Sequence, residues 1–262
     1  MRNPGETAVS GAEAGGFWRA LRTPEGIRDA LLVLMAFTSG YVDAVSYFGL
    51  GRVFTSVMTG NTVVLGVALS QGNWLDVART LTALASYLVG VVIGTLVLER
   101  GEWKGIWPAS VTVACLVELG ALLAFAIVGV LTGSLTGGGV VYILIALAAS
   151  AMGIQSASAR VLNVSGVATT YFTGTWTALM EGVTRHLRVL AGRRTIAAPD
   201  RKLPSRQMLA RQASVLCSYA LAAIVGSASV IRWQLRAAAL PVLPLILIIC
   251  IAWLHFHRTA QQ

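Results

Sequence analysis

Charge is what this sequence has least of: 12% of its 262 residues are Asp, Glu, Lys or Arg, roughly half the share in an ordinary soluble domain. A chain this poor in charge cannot cover a water-soluble core. With 56% hydrophobic residues and a mean hydropathy of +0.72, the composition is that of a polytopic membrane protein. Cysteine is scarce as well. Cys115, Cys217 and Cys250 stand alone inside apolar runs, without metal-ligand spacing or a disulfide framework, so they read as small core residues and no metal site is expected. No HExxH, P-loop, dinucleotide fingerprint or Ser/His/Asp arrangement occurs, which leaves an enzyme or a bound cofactor without support.

An early apolar core is also missing. Residues 1–27 are rich in Gly, Ala, Glu and Arg, and they read as a flexible cytoplasmic tail ending in an interfacial Phe17-Trp18-Arg19 rather than as a secretory signal. The excess of 20 basic over 11 acidic residues lies in short connectors between apolar runs. That placement indicates topology and contact with anionic lipid headgroups, not nucleic acid.

What the chain does have is apolar length. Eight segments, at about 30–50, 53–70, 79–98, 108–131, 139–160, 167–184, 211–231 and 237–256, each hold one helix of membrane-crossing size. The fold expected is all-α, with eight helices of which six to eight span fully. Arg2, Arg19, Arg22 and Arg28 precede the first segment, and a basic connector at 185–211 precedes the seventh. Both therefore belong on the cytoplasmic side of an inner membrane, as do both termini. If segments two and six only dip in and return, 16 of the 20 basic residues are cytoplasmic; if all eight span, 14 are.

The chain also resembles itself. Val53 to Asn61 aligns with Val167 to Thr175, Gly40 to Ala44 with Gly153 to Ala157, and Arg79, Leu84, Ser86, Tyr87 and Gly94 recur as Arg211, Leu216, Ser218, Tyr219 and Gly226. Two related units of four segments, at 28–132 and 138–257, account for this order. Eight spans make the copies parallel; six make them inverted, as in many secondary transporters. Recurrence of Arg79 as Arg211 favours parallel copies with both arginines on the cytoplasmic side, and thus eight spans.

Polar groups in hydrocarbon cost several kcal/mol, roughly, unless they face protein, water or ligand. The cluster Thr59-Gly60-Asn61-Thr62 in segment two and Thr173-Gly174-Thr175 in segment six are paired helix breaks, able to supply ligands to an ion or polar solute. Close helix packing at the glycines explains them equally well. Asp43 is a buried acid suited to a cation or proton, or to an ion pair with Arg160 across the repeats. Glu118 is a second buried acid. Glu181 and Arg185 read as a solvated i,i+4 pair, and His255 and His257 as surface residues.

Gly40-Tyr41-Val42-Asp43-Ala44, followed by Phe54 to Thr62, resembles the signature of the YoaK-like bacterial membrane proteins, a family classed as a domain of unknown function. The likeness runs from about 30 to 257 and implies an integral inner-membrane protein, with no catalytic residues to carry over. The function expected is movement of a small solute or ion through a mid-membrane site of Asp43, Thr59, Asn61, Thr62, Thr173, Thr175, Glu118 and Arg160. The alternative is a non-transporting scaffold or sensor whose basic connector docks lipid or a cytoplasmic partner.

Overall fold

The computed structural model describes residues 23–101, 105–133, 138–164, 172–191 and 203–257. The N-terminal tail to residue 22, the aligned block at 167–171 and the connector at 192–202 lie outside them. Among the described residues, eight helices run in chain order: α1 (Pro24–Gly49), α2 (Met58–Ser70), α3 (Trp74–Glu99), α4 (Ala109–Thr132), α5 (Gly139–Leu162), α6 (Phe172–Leu190), α7 (Arg206–Trp233) and α8 (Val242–Ala252). A 3₁₀ turn, Gln234–Ala239, joins α7 to α8, and a π turn, Trp253–His257, follows. No strand occurs among the described residues.

Local chemistry sets the helix starts. The Thr23 hydroxyl accepts from the Gly26 N–H at 3.1 Å, with Pro24 and Glu25 in the first turn of α1. Asn73 caps α3 through the Asp76 N–H, and Ser205 caps α7 through that of Met208.

Among the described residues, five helices, α1, α3, α4, α5 and α7 with its 3₁₀ extension, are long and apolar enough to cross a membrane. In α1 and α5, 72% and 67% of the apolar window is buried, against 28%, 39% and 33% in α3, α4 and α7. The first pair therefore forms the centre and the others a surround. The surround turns apolar side chains outward, including Leu88 and Val92 of α3, Leu116 and Ile127 of α4 and Ile224 of α7. Such a surface is compatible with lipid and not with water. The chain is a multi-pass membrane protein.

The central helices each pack on a partner from the other half of the sequence. α1 lies along α7: a Cβ on Gly40 would stand 2.5 Å from the Tyr219 carbonyl oxygen, and one on Gly226 would stand 3.0 Å from the Ala44 Cβ. α5 lies along α3 in the same manner, with Gly153 against the Tyr87 carbonyl oxygen and a Gly94 Cβ placed 3.0 Å from that of Ala157. Small residues permit this backbone approach. Arg211 of α7 donates to Asp29 of α1 at 3.0 Å, so those two helices start at the same end.

Segment two departs from expectation. Residues 50–57 are not helical. They fold back so that Thr55 and Ser56 bond Asp43, about 9 Å below the end of α1 at a rise of 1.5 Å per residue. From there α2, only 13 residues or about 20 Å long, returns to the end it came from. Arg79, early in α3, lies against Gly51, whose φ of 93° turns the chain there. Arg79 and Arg211 thus stand at opposite ends of α1, contrary to the shared side their recurrence implied. Asp43 is the physical reason, because it captures the descending loop.

The described part of segment six is α6. The Phe172 ring at the start of α6 lies 4.0 Å from that of Tyr219, and Gly182 packs on Leu209 and Pro204. The helix therefore runs from the level of Tyr219 to the end where α7 begins. Its sequence is amphipathic, with Arg185 and Arg188 in its C-terminal half.

Candidate functional site

Asp43 is 3% exposed and both its oxygens are occupied. Oδ1 accepts from the Thr55 N–H at 2.7 Å, the Thr55 hydroxyl at 2.9 Å and the Ser56 N–H at 2.9 Å. Oδ2 accepts from the Ser56 hydroxyl and, at 2.8 Å, from the Tyr219 hydroxyl. Charge-assisted bonds from several donors are what make a carboxylate tolerable inside an apolar bundle. The expected Asp43–Arg160 ion pair is not formed. Asp43 is saturated by its own loop, and Arg160 lies near the C-terminal end of α5, exposed.

The Thr-Gly-Asn-Thr cluster divides between two faces of α2. Asn61 is buried and mimics a backbone partner for Phe54, accepting from its N–H at 2.9 Å and donating to its carbonyl at 2.7 Å. Thr59 and Thr62 are exposed, and the Thr62 hydroxyl bonds back to the Met58 carbonyl. In α6, Thr173 is exposed and Thr175 is buried. Gly174 has open space where a Cβ would go, so close packing does not explain it. These residues do not converge with Asp43 on one vacancy.

Glu118 is different. It is fully buried in α4, and neither carboxyl oxygen has a hydrogen-bond partner among the described residues. Cys115 and Leu122, one turn to either side, are buried and apolar. Nearby in kind is Gln155 of α5, which donates to the Met35 carbonyl at 3.0 Å while its own oxygen is unpartnered among the described residues.

Toward the C-terminal ends of α3 and α5 the bundle opens into a cavity of about 270 Å³, lined by Tyr87, Thr95, Glu99, Ser156, Arg160 and apolar neighbours. Elsewhere the Glu181–Arg185 pair forms as expected. The His255 ring packs edge-on against Phe256, and the side chain of His257 lies outside the described residues. No group of three metal-ligating side chains occurs among the described residues.

Sequence reasoning missed Thr55, Ser56 and Tyr219 as partners of Asp43, and Tyr87 and Glu99 as cavity walls. Thr55 and Ser56 precede α2 as a Thr-Ser pair, a pattern that favours side-chain and turn bonding over helix. Tyr219 recurs as Tyr87, but nothing in the recurrence names its partner.

A family model described as "Protein of unknown function (DUF1275)" matches residues 31–252. The chain belongs to this family. Among its relatives, the UPF0700 transmembrane protein YoaK of Bacillus subtilis (strain 168) is 38% identical over 165 residues, 63% of this chain and 71% of YoaK. No solved structure matches. Membership in DUF1275 and the word "transmembrane" in that relative's name agree with the five long apolar helices.

Proposed function

We propose that the protein moves a small solute or ion across the inner membrane, with Glu118 as the carboxyl that takes up and releases a proton or cation. The observation that carries this reading is a membrane-helix carboxyl with zero exposure and no partner among the described residues. An acid held there without a counter-charge is costly and serves no packing purpose, whereas a transient cation or proton accounts for it. Asp43 takes the supporting role of fixing the loop that feeds α2.

Two related halves of inverted orientation support the reading. α2 and α6 both begin inside the bundle, near Asp43 and Tyr219 respectively, and leave toward opposite ends. Gly40 on Tyr219 repeats as Gly153 on Tyr87, and Gly226 on Ala44 repeats as Gly94 on Ala157, the same aligned positions in each half. Six spans then suffice, α8 with its π turn making the sixth. Arg28, Arg160, Arg185, Arg188 and Arg211 lie toward the end where α1 starts, which supports a cytoplasmic side for that end. There the basic, amphipathic α6, with Trp176 and Leu187 exposed, lies against anionic headgroups.

The test is uptake in proteoliposomes under an imposed pH or cation gradient. Glu118→Gln should abolish gradient-driven flux and leave the folded protein intact. Undiminished flux in that variant would remove Glu118 from the mechanism.

A further inference from the structure

We propose that the cavity at the C-terminal ends of α3 and α5 is a binding site for a small zwitterion, a molecule carrying one carboxylate and one ammonium group on a short aliphatic body. Arg160 and Glu99 both line it. Neither joins an ion pair among the described residues, with each other or with any third group. Two opposite charges that share a cavity without meeting present complementary ends to one ligand. A singly charged solute would satisfy one of them and face repulsion from the other; a zwitterion satisfies both. The C-terminal end of α3, beside Glu99, adds the negative end of a helix dipole to attract an ammonium group.

The rest of the lining agrees. Val91, Leu98 and Val161 give an apolar wall for a short side chain. At about 270 Å³ the cavity falls just below the range of roughly 300–1,000 Å³ typical for drug-sized ligands, and suits a molecule of few heavy atoms. The aligned position in the opposite half of the bundle differs in one residue type. There Gly40 packs on Tyr219, and the Tyr219 hydroxyl meets the carboxylate of Asp43. Here Gly153 packs on Tyr87, and Ser156, three residues on as Asp43 is from Gly40, carries no carboxylate. Arg160 stands one turn further along α5, where it can pair with the carboxylate of a bound ligand.

This site stands independently of the transport reading, because binding is measured without a membrane gradient. The experiment is thermal unfolding of the purified full chain in detergent with L-alanine, propionate or propylamine added at matched ionic strength. A ligand that binds only the folded state raises the transition by mass action. L-Alanine should raise it saturably, with at least a tenfold lower half-maximal concentration than either singly charged analogue. Arg160→Gln and Glu99→Gln, both at exposed positions, should leave the unliganded transition in place and each weaken the L-alanine response at least tenfold. Absence of any L-alanine response, an equal response to propionate, or an unchanged response in both variants overturns the proposal. Loss of flux in Glu118→Gln with intact L-alanine binding would leave both readings standing, whereas flux without binding would remove this one alone.

Discussion

The Tyr219 hydroxyl donates to Asp43 Oδ2 at 2.8 Å across a sequence separation of 176 residues. That bond joins α7 to a carboxylate already holding the 50–57 loop, so a single buried acid fixes both the descent of the chain after α1 and the seat of α7. Removing the acid should cost more than removing the phenol.

Tyr219→Phe deletes one donor and leaves four bonds on Asp43, which predicts a loss of about 1–3 kcal/mol. Asp43→Asn loses the charge that strengthens every bond and opposes one N–H to another. Its transition should fall further, and the 50–57 loop should become the first site of proteolysis. Thermal melts with limited proteolysis in detergent check both. An Asp43→Asn protein as stable as wild type would show that the loop is held by other means.

Gly40→Ala and Gly153→Ala should each destabilise strongly, by about 1–3 kcal/mol or more, because a Cβ at either site drives into a neighbouring helix backbone. Gly174→Ala meets open space in a helix, and is predicted to be neutral or stabilising by up to about 1 kcal/mol. Melting the three variants side by side separates the packing glycines from the one that packs nothing.

Topology is testable by labelling single cysteines in a background lacking Cys115, Cys217 and Cys250. A membrane-impermeant maleimide added outside intact cells should reach Gly72→Cys but not Arg188→Cys. If α2 crossed the membrane, Gly72→Cys would be protected until the cells were opened.

Glu118→Leu should raise thermal stability by on the order of 1 kcal/mol, since replacing an uncompensated buried acid with an apolar side chain relieves its desolvation. Activity should disappear in the same variant, the trade-off expected of a strained functional group. Calorimetry or fluorescence melts alongside uptake measure the two effects. A less stable Leu variant would reveal a partner for the carboxyl.

The helical class and five of the spans were legible because an apolar run of about twenty residues matches the thickness of a bilayer's hydrocarbon and exceeds what a small soluble core can bury. Glu118 was legible for the same reason, as a charge in a run that should have none. Segment two was legible only as one of two alternatives. Its apolar residues at 53–57 look like helix, and only the bonds from Thr55 and Ser56 to a carboxylate twelve and thirteen residues earlier show that the chain folds back instead. The partner of Arg160 was misassigned because a lone acid and a lone base in lipid invite pairing, and the sequence does not show that hydroxyls had already claimed the acid. The cavity was illegible for a simpler reason: Glu99 and Arg160 come to line one cavity only through the packing of α3 on α5.

The exchange of partners between the halves has a consequence for biosynthesis. Asp29 waits for Arg211, 182 residues later in the chain. At roughly 5–20 residues per second that interval is on the order of ten to forty seconds. Through all of it α1 is in the bilayer with its glycine face bare and its main neighbour not yet made. The first half is thus a nascent chain open to wrong company, and the emergence of α7 is the step that ends its exposure.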